Sequence, residues 1–293
     1  MKKYLFPIIF LLAIPFASAE CSLANLGACL PEAIFSFFLS ILNAPLGFLL
    51  NLINDLITEP VTLDSFHYFW VIIVYIVSIF YSLMFVYAGY NFLISGHDVA
   101  RRERAKLFLR DTLIMVVAVN ASFYLYGVLL EISALLSAGV MGMINPEFFL
   151  LTADNFVNIG LEFIFVGMYV ITLATSLILF ALRYIFVAAG LVFFPIGIFM
   201  YFLSPLKAYG KLVINTLLVV IFVPFFSSLV LLMSSMLLDM EVFSSVKILV
   251  MISAFNLVNL GLIFLIIFAI VKSAFGLVNS DVGRGVKMVV GKI

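Results

Sequence analysis

Apolar runs of more than 20 residues recur along this chain, and they constrain its fold more than any other feature. About 20 helical residues, rising roughly 1.5 Å each, cross the ~30 Å hydrocarbon core of a bilayer. Five stretches meet that length: Phe66 to Ile94, Thr112 to Ile144, Leu161 to Leu203, Leu212 to Leu238 and Ile248 to Val271. Only 10% of the residues are charged, against roughly 25% in soluble domains, so a water-soluble surface is excluded. The fold class expected is all-α: a polytopic transmembrane helical bundle of five to six crossings.

The start of the chain has the three parts of a secretory signal. Lys2 and Lys3 precede a short apolar region, Tyr4 to Ile14, and Ala17-Ser18-Ala19 supplies small residues for cleavage. Cleavage after Ala19 leaves the new N-terminus outside the membrane. The two cysteines, Cys21 and Cys29, follow at once on the oxidising side, where a disulfide closing a small loop is the natural expectation. The organisation expected is a signal over 1–19, an exocytoplasmic segment over 20–65, a membrane domain over 66–272 and a short basic tail over 273–293.

Between Pro31 and Thr58, the polar or small residues Ser36, Ser40, Asn43, Gly47, Asn51, Asn54 and Thr58 recur every three or four positions. That period places them on one stripe of a helix. An amphipathic helix is expected, kinked near Pro45 and lying at the outer surface, or else crossing with its stripe against other helices.

Charge distribution orients the bundle. With the N-terminus outside, the first crossing places Arg101, Arg102, Arg104, Lys106 and Arg110 inside, and Asp98 is set to cap the helix that carries them. If Leu161 to Leu203 crosses once in net terms, Lys207, Lys211 and the tail also fall inside, giving eleven basic residues inside and only Lys247 outside. Two crossings would bring the two sides nearly level. One net crossing of so long a segment calls for an unusual shape. The expected one is a helix to about Leu182 and then a re-entrant hairpin tipped at Gly190, Pro195 and Gly197; the alternative is an ordinary proline-kinked helix in a six-crossing protein.

Polar groups inside the apolar runs are the candidates for function. They are Asn120, Glu131, Asn256 and Asn259. Glu131 faces either a lumen or a hydrated outer interface. Arg183 reads as a side chain that snorkels from a helix end. The basic residues Arg101, Arg102, Arg104, Lys106, Lys207 and Lys211 are set to fix topology or to contact phosphate of lipid, DNA or a cytosolic partner. No P-loop, HExxH or GxSxG is present, and His67 and His97 fall on opposite sides, so neither catalysis, a metal nor a cofactor is expected.

Two stretches carry a family resemblance. One runs from Tyr87-Ala88-Gly89-Tyr90-Asn91-Phe92-Leu93-Ile94-Ser95-Gly96 into Arg101 to Asp111. The other runs from Arg183-Tyr184 through Phe194-Pro195-Ile196-Gly197 to Ser204-Pro205-Leu206-Lys207-Ala208-Tyr209-Gly210-Lys211. With the outside start and about five crossings, they make the chain similar to the TrbL/VirB6 group of conjugation and type IV secretion machinery, in particular an archaeal relative. The resemblance implies a non-enzymatic membrane platform in the lipid bilayer. It would be a homo- or hetero-oligomer with other secretion-machine membrane subunits and would borrow energy from a separate cytosolic ATPase. DNA enters only as a transported substrate. The competing readings are a gradient-driven transporter or channel for a small solute, and a scaffold without a transport path.

Overall fold

The computed structural model describes residues 26–151, 159–244 and 246–278. The expected signal, Cys21 and the basic tail beyond Val278 lie outside the described residues. Helices account for nearly all of the rest: α1 (Leu26–Thr58), α2 (His67–Ile94), α3 (Val99–Asn120), α4 (Ser122–Met141), α5 (Ile159–Phe202), α6 (Lys207–Leu237), the single turn α7 (Glu241–Ser244) and α8 (Lys247–Val278). Five helical segments are long and apolar enough to cross a membrane: Asp64–Ile94, Ser122–Met141, Ile164–Phe202, Lys207–Leu237 and Lys247–Phe268. The chain is a polytopic helical bundle.

Local chemistry sets the helix boundaries. The Asp98 carboxylate accepts hydrogen bonds from the backbone N–H groups of Ala100 (2.9 Å) and Arg101 (3.2 Å), capping α3 as its position suggested. The long run from Thr112 is not one element. It divides at Ala121, so its first part belongs to α3 with the basic cluster and its second part is the membrane helix α4. Trp70 ties this junction to α2 by donating from its indole N–H to the Ser122 hydroxyl at 2.8 Å.

α6 lies at the centre, packed most extensively against α8 and α5. Half of its apolar window is buried, against 17% for the window in α2, so α6 is core and α2 is rim. Two apolar clusters fill the interior. One gathers Leu46, Ile53 and Ile57 of α1, Tyr169, Leu173 and Phe180 of α5, and Phe255 of α8. The other gathers Tyr81 of α2, Met115 of α3, Tyr126 of α4, and Val187 and Leu191 of α5. On α1, Leu46, Ile53 and Ile57 are buried and Asn51 and Asn54 are exposed, while Asn43, Gly47 and Thr58 of the polar stripe are half-buried and Phe48 is exposed. Asn43 joins α1 to the α4–α5 connection, donating to the Leu151 carbonyl at 3.2 Å and accepting from its N–H at 3.3 Å.

Two expectations are corrected. The disulfide is withdrawn: none is found among the described residues, and Cys29 stands within the first turns of α1 rather than in a small loop. The re-entrant hairpin is not formed either, because α5 continues as one helix from Ile159 to Phe202 with Pro195 inside it. The single crossing stands, made by a helix of 44 residues, about 66 Å long, which must tilt in the bilayer or project from it.

The physical reason lies in the glycines. A Cβ on Gly190 would fall 2.6 Å from Leu217 Cδ2, and one on Gly197 would fall 2.9 Å from Val213 Cγ1. These residues are the smooth face on which α6 packs, so keeping α5 helical buries apolar surface against α6. A hairpin tip there would instead strip several backbone groups of their partners, whereas Pro195 removes one hydrogen bond.

Candidate functional site

Among the described residues, Arg183 is the only charged side chain that is buried, at 4% exposure. It sits at the seam between the two apolar clusters, with Phe180 on one side and Val187 on the other. No carboxylate pairs with it among the described residues. Three backbone carbonyls hold it instead: Nε donates to Val220 at 3.0 Å, Nη2 to Ile221 at 3.1 Å and Nη1 to Leu56 at 3.3 Å.

Two of these carbonyls are unclaimed for the same reason. In an α-helix the carbonyl of residue i accepts from the N–H of residue i+4, and proline has none. Pro224 stands four after Val220, and Pro60 stands four after Leu56. Leu56 is also in the last turn of α1, where carbonyls lack helical donors and the helix dipole favours a cation. The Ile221 carbonyl accepts a second bond, from the Ser133 hydroxyl of α4 at 2.7 Å. One turn beyond Arg183, Tyr126 of α4 donates to the Val187 carbonyl at 2.6 Å. The planar guanidinium therefore ties α5 to α1 and α6, and α4 reaches the same region through the Ser133 and Tyr126 hydroxyls. Arg183 is held inside the bundle and does not snorkel.

The residues singled out in the sequence do not gather at that point. Asn120 is exposed at the end of α3 and donates to Val116 of its own helix at 2.7 Å. Asn256 is exposed on α8. Asn259 is buried, with its Nδ2 at 3.5 Å from the Thr172 carbonyl and its Oδ1 without a partner. Glu131 is exposed and shares a shallow cleft of about 310 Å³ with Asp64, Pro60 and Gly127, on the flank of the bundle below the α1–α2 connection. Because it touches no buried partner, E131Q is expected to leave unfolding in detergent within about 0.5 kcal/mol of the parent.

The basic residues line up on α3. Arg101, Arg102, Arg104 and Lys106 are exposed; Arg101 lies 3.3 Å from Asp98 and Lys106 lies 3.2 Å from Glu103. Lys207 and Lys211 are exposed at the start of α6, the former 5.4 Å from the Tyr201 ring centroid. Gly190 is buried against Tyr126 of α4 and Leu217 of α6, Gly197 is buried against Val213 of α6, and Pro195 is buried within α5.

The sequence presented Arg183 as a snorkelling side chain because the residues that explain its burial are distant. Prolines at 60 and 224 were visible, and each marks an orphaned carbonyl, but their shared donor is found only once the helices are packed.

The fold and the lipid-length apolar helices define a multi-spanning membrane protein. No protein-family model, curated protein or solved structure matches this chain.

Proposed function

We propose that this protein is a non-enzymatic membrane platform subunit of a type IV secretion-like machine, working as an oligomer and energised by a separate ATPase. The observation that carries the reading is a bundle interior filled by side chains. Tyr126, Tyr169, Phe180, Leu191, Ile221 and Phe255 are all below 2% exposure, and the buried Arg183 guanidinium gives three of its five N–H donors to backbone carbonyls. A gradient-driven carrier needs polar groups free to receive its solute near the membrane midplane. Here the buried charge is committed to holding helices together, which favours a rigid platform. The two family-like stretches add to this: one forms the α2–α3 turn and the other the α5–α6 hairpin. A passage for macromolecules would then form between subunits.

In this reading the basic α2–α3 and α5–α6 turns face the cytoplasm, and the acidic turn at Asp239 and Glu241 faces outside. Single cysteines at Lys211 and Asp239 test the orientation with a membrane-impermeant maleimide on intact cells. Asp239→Cys should label and Lys211→Cys should not; the reverse pattern would invert the model. For function, deletion of the gene should abolish intercellular DNA or protein transfer, and affinity purification in mild detergent should retain an ATPase. Stoichiometric, saturable solute uptake by the purified protein alone in liposomes would replace this reading with the carrier.

A further inference from the structure

At the α2–α3 turn the two helices leave a cleft of about 450 Å³ between them. Its walls are Tyr87, Asn91 and Ile94, at helical spacing on the last turns of α2, and Arg101, Arg104 and Phe108 from the first turns of α3. The rings of Tyr87 and Phe108 meet edge to face, with centroids 5.3 Å apart, and fix the approach of the two helices. The cleft is therefore amphipathic. Ring and aliphatic surface lines it together with two guanidinium groups, an amide and a phenol.

We infer that this cleft is a binding site for the headgroup of an anionic phospholipid. The charge in it is not spent inside the protein. Arg104 uses Nε on the Ala100 carbonyl at 3.3 Å, which leaves its terminal amino groups available. Arg101 is only partly offset by Asp98, at 3.3 Å and with both side chains well exposed. A phosphodiester suits two such groups because each guanidinium presents paired N–H donors to phosphate oxygens.

The surroundings select a lipid as the source of that phosphate. The cleft opens at the very end of a membrane helix, where headgroups lie. On the adjoining stripe of α2, Val86, Tyr90 and Leu93 are 72%, 60% and 84% exposed, a track on which an acyl chain would lie once the head is held. Lys207 and Lys211 make a useful contrast, as they are equally basic and exposed yet line none of the clefts described.

The test is lipid binding by the full chain. Delipidated protein is placed in phosphatidylcholine nanodiscs and titrated with phosphatidylglycerol, with native mass spectrometry counting the lipids retained. The parent protein should prefer phosphatidylglycerol, and R101Q/R104Q should weaken that preference about tenfold or more, because charge-assisted hydrogen bonds to the phosphate are lost along with the charge. K207Q/K211Q, which removes only the diffuse attraction of the same charge elsewhere, should weaken it clearly less. Both pairs are exposed, so thermal unfolding should match the parent and confirm that each variant folds. Equal losses in the two variants would mean diffuse charge attraction and overturn the site, as would no preference for phosphatidylglycerol. If soluble glycerol phosphate competes as well as the lipid, the ligand is a free phosphate and the assignment to lipid fails.

Discussion

Replacing Arg183 by Met is expected to destabilise the bundle by about 2–6 kcal/mol, chiefly because two buried carbonyls lose their donor. Methionine fills the space of the arginine stem and suits an apolar interior, so most of the loss does not come from volume. It comes from the acceptors. Leu56 and Val220 have no helical donor, because Pro60 and Pro224 follow them by four residues, and Arg183 supplies the missing bonds at 3.3 and 3.0 Å. An orphaned buried carbonyl costs about 1–3 kcal/mol, and here there are two. Ile221 suffers less because Ser133 still donates to it. R183K should fall between the two, since one ammonium cannot reproduce the spread of a planar fork across two helices. A second substitution ties the effect to its cause. P224A returns an N–H to the turn below Val220, so the loss on R183M should be smaller in the P224A background than in the parent. Thermal or denaturant unfolding in detergent measures all five proteins, the parent, R183M, R183K, P224A and R183M/P224A. Equal stability of R183M and the parent would show that the carbonyls find other donors.

Gly210→Ala should be the most damaging of the small-residue changes, and it is expected to cost about 1–3 kcal/mol, as overpacking does where neighbours cannot move aside. The new Cβ would press on the backbone N of Tyr201 and lie 2.6 Å from the Gly197 carbonyl oxygen. Both are backbone atoms of α5, so relief requires the α5–α6 hairpin to open. Gly47 and Gly261 have nothing within 4 Å of the corresponding position. In those helices alanine removes backbone freedom without a clash, so G47A and G261A should be neutral or stabilising by roughly 0.5–1 kcal/mol. The same unfolding measurement separates the three variants, and a stable G210A would refute the close approach.

These two effects mark where sequence reading succeeded and where it stopped. The five crossings were legible because a helix must satisfy its own backbone in lipid, so an apolar run of sufficient length has one dominant solution. Asp98 was legible as a cap because its carboxylate and the N–H groups that donate to it lie within three residues. The Gly190, Pro195 and Gly197 group was misread as a hairpin tip. Glycine and proline mark either a break or a close contact, and the difference lies in Leu217 and Val213 on another helix. Glu131 drew attention as a charge in an apolar run, yet the bundle leaves it exposed.

Hydrophobic length alone thus determined that the chain crosses a membrane repeatedly, and local side-chain chemistry determined where several helices begin. Tertiary structure decided the role of Arg183. Its acceptors are 127, 37 and 38 residues away in sequence, and carbonyls carry no side-chain signature. A proline announces that a carbonyl has lost its partner; only packing shows which residue supplies a new one.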